Sequence, residues 1–188
     1  MARAFGKTVQ ICTFEPSPDI AEALRKTLGV NGRTQTTVIK AAGGAHTGDA
    51  PFTDNTNNSG KSGIGTVDTG GKTDKVTVKT LSLCDLGRQQ TLPRLDLIKT
   101  DVKGSEADVL EGAETVRETF GPAMVMEAGV DPNHDRSKVK DILERYRYKM
   151  PGAIFPQGIM EATRDDYLRA SGMFCQRVCE YTVDLGPR

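Results

Sequence analysis

Three carboxylates in this chain each close an apolar run. Glu15 follows Val9-Gln10-Ile11-Cys12-Thr13-Phe14, Asp101 follows Leu95-Asp96-Leu97-Ile98-Lys99-Thr100, and Glu127 follows Ala123-Met124-Val125-Met126. An acid at the carboxyl end of a strand can accept hydrogen bonds from both hydroxyls of a ribose, because a carboxylate offers enough lone pairs for a bidentate contact. Glu15 is the candidate for that contact, with NAD or S-adenosylmethionine as the ligand. The same position also suits an acid resting on the positive end of a helix dipole. Asp101 precedes a glycine turn and could orient a cofactor amine or a substrate hydroxyl. Equally, it could be a turn aspartate bonding its own backbone. Lys99, Lys103 and Glu106 lie close by in sequence and read as surface ion pairs of little energetic weight.

The elements that would position these acids alternate along the chain. Residues 9–14 read as a short buried strand. Ser17 and Pro18 then supply an N-cap and a first helical residue. Ile20, Ala23, Leu24 and Leu28 give that helix an apolar face at three-to-four spacing, and Gly29 with Asn31-Gly32 stops it near residue 28. Residues 37–42 form the next strand. From 43 to 75 the composition turns to Gly, Asn, Thr, Ser and Asp, which predicts a long loop or a hairpin excursion. Strands come next at 76–81 and 95–101. Ser105 caps a helix with Asp108 three residues on, and Val109, Leu110, Ala113, Val116 and Phe120 form its buried side. A strand at 123–127, a helix marked by Val139, Ile142, Leu143 and Tyr146, and a last strand near 174–183 complete the order. Strands alternating with helices imply an α/β sandwich with a mostly parallel sheet and right-handed crossovers. In such sheets ligands sit at the carboxyl ends of the strands, which is where the three acids fall.

Length and charge narrow the functions. A chain of 188 residues fits one domain. Lys+Arg and Asp+Glu both count 25, so no net charge favours nucleic acid or anionic lipid. Tyr and Phe together are few and Trp is absent, leaving little surface for stacking bases. The apolar runs are only a few residues long, too short to span a membrane. No basic-then-apolar leader is visible, so the expected compartment is the cytoplasm. Cys12, Cys84, Cys175 and Cys179 are scattered and read as reduced, partly buried thiols. His46 and His134 read as loop residues, and no metal site is expected.

Two motifs fail on their own physics. Gly60-Lys61-Ser62 resembles the end of a phosphate loop, but Asn55 stands where that loop needs glycine and no strand-to-helix context surrounds it. Gly63-Ile64-Gly65 begins a dinucleotide fingerprint and meets Asp68 where glycine is required. Asn57-Asn58-Ser59 matches a glycosylation acceptor in form only.

Thr13-Phe14-Glu15-Pro16-Ser17-Pro18, followed by a helix and Asn31-Gly32, resembles the second-strand region of FkbM-type methyltransferases. The run Asp96-Leu97-Ile98-Lys99-Thr100-Asp101-Val102-Lys103-Gly104-Ser105-Glu106, with Val109-Leu110-Glu111-Gly112-Ala113 after it, is similar to the most recognisable stretch of that family. Met126-Glu127, Asn58-Ser59-Gly60 and Val76-Thr77-Val78 fall in family order, so the resemblance covers about residues 9–150. It implies a Rossmann-like class I methyltransferase sandwich that binds S-adenosylmethionine and methylates a hydroxyl oxygen of a small molecule or glycan. Glu15 and Pro16 would hold the cofactor ribose, Ala41 and Ala42 would lie near its adenine, and Asp101 would act close to cofactor or acceptor. The excursion and the tail beyond Pro151 would shape the acceptor pocket. Three departures stand out. Lys103 replaces a family acid, Ser82 follows Thr80-Leu81 where the family has Asp, and only eight residues precede the second-strand match. The family's first strand and glycine-rich turn do not fit in that space, so the expectation is an incomplete chain. A non-catalytic remnant that serves as an interaction module, and a nicotinamide enzyme lacking its glycine fingerprint, are the competing readings.

Overall fold

The computed structural model describes residues 9–55, 62–64, 73–102, 104–127, 135–155, 158–160 and 178–183. The first strand, β1 (Ile11–Phe14), is followed by α1 (Pro18–Val30) and β2 (Thr36–Ile39). β1 and β2 pair in parallel, with Ile11 opposite Thr36 and Phe14 opposite Ile39, and the Glu15 amide extends the ladder by donating to the Ile39 carbonyl at 3.0 Å. β1 is half-exposed rather than buried, since among the described residues it has a neighbour on one side only. Pro18 opens α1 as expected, because its fixed φ suits the first turn and its missing N–H removes an orphan donor. Asn31 and Gly32 (φ +62°) end the helix. The predicted apolar face is shallower than its spacing suggests: Ala21 is buried, whereas Ile20, Leu24 and Leu28 are partly covered and Ala23 is exposed.

The second strand stops earlier than the sequence suggests. The Ala41 amide turns back to the Ile39 carbonyl at 2.9 Å, which takes Ala41 and Ala42 out of the β1–β2 ladder. Ala42 instead begins β3 (Ala42–Gly43), which pairs in parallel with the end of β6 (Thr73–Leu81). The described part of the excursion is a hairpin arm. β4 (Gly48–Asn55) runs antiparallel to β6 over eight paired positions from Gly48–Thr80 to Asn55–Thr73, and β5 (Gly63–Ile64) adds to its other edge. Alternation places Phe52 and Val78 on one face with Ala42 and Ile64, a small apolar cluster of its own. Asn57-Asn58-Ser59, Gly60-Lys61 and residues 65–72 lie outside the described residues.

Helix α2 (Leu83–Gln90) was not foreseen from the sequence. Its start is a local cap: the Ser82 hydroxyl accepts the Asp85 amide at 3.1 Å. β7 (Leu97–Thr100) and β8 (Ala123–Glu127) then pair in parallel, Leu97 opposite Ala123 and Thr100 opposite Met126. Between them the single predicted helix is two, α3 (Glu106–Glu111) and α4 (Glu114–Phe120), interrupted at Gly112-Ala113. α5 (Arg136–Arg145) is capped by Asp135, whose carboxylate accepts the Lys138 amide at 2.9 Å. β9 (Tyr148–Phe155), β10 (Gly158–Met160) and β11 (Val178–Val183) complete a five-stranded sheet in the order β10-β9-β11-β8-β7. Parallel pairing thus holds for the strands that carry the acids, while the arm and the C-terminal strands pair antiparallel. The architecture is α/β and Rossmann-like.

The main core joins β7 and β8 to the helices through Ile98, Leu110, Met124, Met126, Val139, Ile142 and Leu143. Arg117 is buried beside them. It donates to the Leu110 carbonyl at 2.7 Å, and its guanidinium lies 4.0 Å from the centre of the Tyr146 ring, a cation–π contact that partly replaces its lost hydration.

One close approach accounts for the glycine at the helix break. A Cβ on Gly112 would stand 2.0 Å from the Gly44 carbonyl oxygen and 3.1 Å from the Ser82 Cβ. The Gly112 carbonyl also accepts the Cys84 amide at 2.8 Å, so α2, the α3–α4 break and the root of the arm meet at this glycine. Gly112→Ala should lower the Tm by roughly 5–15 °C in a thermal melt, because the obstructing atom is backbone and cannot swing aside. Gly29→Ala, where a Cβ meets nothing within 4 Å, should instead be neutral or slightly stabilising. Thr100 carries the opposite defect: its hydroxyl is buried with no hydrogen-bond partner among the described residues. Thr100→Val should therefore raise stability by about 1 kcal/mol in denaturant unfolding.

Candidate functional site

The carboxyl ends of β1 and β7 open on one cavity of about 280 Å³. β1 and its exit contribute Phe14, Glu15 and Pro16, and α1 contributes Ile20. From β3 come Ala42 and Gly43, and the arm adds Phe52, Ser62, Gly63 and Ile64. The turn after β7 supplies Asp101, Val102 and Ser105. Four of the expected site residues, Glu15, Pro16, Ala42 and Asp101, therefore meet at one place although they span 86 positions of sequence. Ala41 is buried next to Ala42 and is not part of the lining. Glu127 ends β8, as the sequence predicts.

Local chemistry holds Glu15 in place. Its backbone amide is committed to the Ile39 carbonyl, and its Oε1 accepts the Ser17 amide at 2.9 Å. Oε2 has no hydrogen-bond donor among the described residues. Burial pushes the carboxyl above the ordinary glutamate range. The Ser17 amide pulls against that rise, and the negative charge of Asp54 adds to it. Ser17 itself is 2% exposed, and its hydroxyl makes no helix-capping bond. It donates instead to Asp54 Oδ2 on β4 at 3.0 Å. Asp54 Oδ1 accepts the Ser62 hydroxyl at 3.0 Å, and Ser62 Oγ accepts the Asn55 amide at 2.9 Å.

The turn after β7 is built by a residue that the sequence alone assigns to the surface. Glu106 is 2% exposed, not a solvated partner for the neighbouring lysines. Its Oε1 accepts the Val102 amide at 3.3 Å and its Oε2 accepts the Gly104 amide at 3.0 Å. Gly104 sits at φ +98°, a conformation that L side chains rarely adopt, so the glycine permits the turn and the buried acid holds it. Asp101, at the start of this turn, stands 3.3 Å from Lys99 Nζ and remains partly exposed at the cavity mouth. Lys103 lies outside the described residues. Ser105 precedes α3 without a side-chain cap bond, so the predicted Ser105–Asp108 capping box does not form.

Sequence reasoning missed Ser17's hydroxyl, Asp54, Ser62 and Glu106. Glu106 had a local signal, an acid two residues after a turn glycine. Asp54 had none, because its partner lies 37 residues away. Elsewhere, His46 is exposed in a loop, Cys12 is exposed and Cys84 is partly covered, and both cysteines are free. His134 and Cys175 lie outside the described residues. No helix among the described residues is long and apolar enough to cross a membrane.

Among the described residues, the charged groups lining the cavity, Glu15 and Asp101, are both acidic, and the walls facing them are apolar or small. Such a site favours a ligand that offers hydroxyl donors, a flat apolar group and positive charge. The volume lies just below the usual range for ligand sites, which suits a nucleoside-sized group better than a whole dinucleotide.

Comparisons with known proteins bear on the family and the fold. The profile of the methyltransferase FkbM domain matches residues 2–150. Among solved structures, the crystal structure of methyltransferase FkbM from Methylobacillus flagellatus KT is similar, with a TM-score of 0.53 at 16% identity. The likeness covers 92% of this chain and 36% of that one, so the chain spans about a third of the length of the structure it matches. The comparison with curated proteins gave no match. With two strand-end acids gathered on one cavity and four-fifths of its length matched by the domain profile, this chain belongs to the FkbM methyltransferase family.

Proposed function

We propose that the chain binds S-adenosylmethionine in the cavity between β1 and β7, and that it serves methyl transfer to a hydroxyl oxygen of a small molecule or glycan. The observation that carries this reading is Glu15, a residue of the cavity lining: one carboxylate oxygen is tied to the Ser17 amide while the other takes no hydrogen bond among the described residues. An open carboxylate oxygen beside small and apolar walls is the arrangement a ribose diol requires. Pro16 stiffens the chain just past Glu15, and Ala42, with Ala41 behind it, leaves flat space for the adenine ring. Phe14, Ile20, Phe52 and Ile64 exclude water from that ring.

When bound, the cofactor supplies a methyl group already activated on a sulfonium. The chain's task is then to align the acceptor oxygen and to manage its proton. Asp101 is the residue for that task. It stands at the mouth, on the turn that Glu106 holds rigid, and can accept a hydrogen bond from an acceptor hydroxyl or take up its proton. Lys99 stands beside it, 3.3 Å from its carboxylate.

Isothermal titration of the purified chain with S-adenosylmethionine tests the reading. Wild type should release a saturable heat, and Glu15→Gln should weaken binding about 10- to 100-fold, the worth of a charge-assisted hydrogen bond. Stability should move the other way. Glu15 has its carboxyl raised on folding, so the folded state holds its proton more tightly than the unfolded chain. Its contribution to stability is then lost as pH rises from the ordinary glutamate value through the raised one. Glu15→Gln should therefore melt about 1–3 °C above wild type at pH 7, and the difference should vanish near pH 4. A folded wild-type chain that gives no heat with the cofactor would end the cofactor reading and favour an interaction module.

A further inference from the structure

The arm and the first helix are joined through one carboxylate, and the join runs directly to Glu15. We propose that Asp54 is a positioning residue that fastens the β4–β5 arm to the start of α1, so that Glu15 and the arm's wall close on the adenosine end of one ligand. The ligand class rests on the reading of Glu15 as the ribose acceptor; the fastening does not.

The geometry is continuous. The Asn55 amide donates to Ser62 Oγ, Ser62 Oγ donates to Asp54 Oδ1, Ser17 Oγ donates to Asp54 Oδ2, and the Ser17 amide donates to Glu15 Oε1. Each link measures 2.9–3.0 Å. Both oxygens of Asp54 are thus engaged, one by each side of the cavity. On the arm side, Ser62 leads into Gly63 and Ile64, and Phe52 lies two residues before Asp54 on the same strand. Phe52, Ser62, Gly63 and Ile64 line the same cavity as Pro16 and Ile20.

Two features set this apart from an ordinary surface contact. Ser17 is the N-cap of α1, where its hydroxyl would normally accept a helix amide and stabilise the helix by about 1 kcal/mol. Here the hydroxyl turns away to Asp54 and the capping bond is not made. Ser17 and Asn55 are also almost wholly buried, so each end of the linkage is shielded from competing water. Asp54 further sets the environment of Glu15, since a second negative charge nearby favours an incoming donor or cation over an anion.

The test combines ligand binding with hydrogen exchange on wild type, Asp54→Ala, Asp54→Asn, Ser17→Ala and the Ser17→Ala/Asp54→Ala double variant. S-adenosylhomocysteine and adenosine are the probes. Asp54→Ala should weaken both about tenfold, and the double variant should bind no worse than Asp54→Ala alone, because both substitutions break one link. Asp54→Asn keeps an acceptor for the Ser17 hydroxyl and should stay within about threefold of wild type, a rescue that generic destabilisation would not give. Without ligand, the amides of Ser17 and Asn55 should exchange faster in Asp54→Ala than in wild type. Wild-type affinity in a folded Asp54→Ala, strictly additive losses in the double variant, or unchanged exchange would each overturn the proposal. If wild type binds neither probe, the ribose reading of Glu15 fails, and the exchange rates alone decide whether Asp54 fastens the arm.

Discussion

The approach of Gly112 to the Gly44 carbonyl is the contact on which the placement of the site depends. β1 with β2 and β7 with β8 belong to separate hydrogen-bonded ladders among the described residues, so no shared backbone ladder there fixes Glu15 relative to Asp101. Packing connects the two halves. Gly112 lies against the root of the arm, and its carbonyl takes the Cys84 amide at the start of α2. Val109, three residues earlier on α3, packs so near Gly43 that a Cβ there would stand 3.3 Å from its Cγ2. Gly43 is itself a wall of the cavity. A side chain at Gly112 would lever α3 away from the arm and part the two acids with it. The glycine in the Val109-Leu110-Glu111-Gly112-Ala113 run is thus explained by the absence of room, not by backbone flexibility: its φ of −67° is one any residue adopts.

Two glutamates, one buried and one half-buried, show how a single residue type is directed to different ends. Glu106 is buried and spends both oxygens on backbone amides of the turn it supports. A carboxylate satisfied in this way has little capacity left for a ligand, and its worth is to keep the turn, and Asp101 with it, in one conformation. Glu15, which lines the cavity, is held by a single amide and keeps one oxygen without a hydrogen bond among the described residues. Burial raises its carboxyl, the nearby charge of Asp54 adds to the rise, and the one Ser17 amide offsets only part of it. The difference arises from the residues beside each acid. Gly104 lets two amides converge on Glu106, whereas Pro16 offers no N–H after Glu15, so Ser17 is the nearest amide available.

Legibility in the sequence tracks the range of the forces involved. Pro18, Asn31 and Gly32 bound α1 through local backbone chemistry, and β8 falls at the residues its apolar run marks. The strand-end acids are visible for the same reason, as each ends a short stretch rich in apolar residues. The failures are long-range. Ala41 and Ala42 continue an apolar run, yet the chain turns at Ala41 because Ala42 is claimed by β6, whose partner position Thr80 is 38 residues on. The helix after Gly104 shows unbroken periodicity, yet it breaks at Gly112, where the Gly44 carbonyl, far upstream, leaves no room for a side chain. α2 is short and polar, and its one clear mark, Ser82 three residues before Asp85, is easily passed over without knowing that a helix is needed there. The Asp54–Ser17 link joins a polar excursion to a helix cap and leaves no periodic trace at all.

The sign of the charge around the cavity bears on how a methyltransferase built this way would turn over. Glu15 and Asp101 line it, Asp54 lies just behind, and Lys99, a cation beside them among the described residues, pairs with Asp101. In the proposed reading the incoming cofactor carries a sulfonium charge that this field attracts, while the demethylated product is neutral at sulfur and loses that attraction. The ribose contact to Glu15 is the same before and after transfer and so contributes equally to both. Discrimination between fresh and spent cofactor would then come from the acids as a group rather than from any one hydrogen bond. In that reading Asp54 would act through charge as well as through its tie to Ser17, so the element that shapes the cavity wall would also bias the choice between the two cofactor forms.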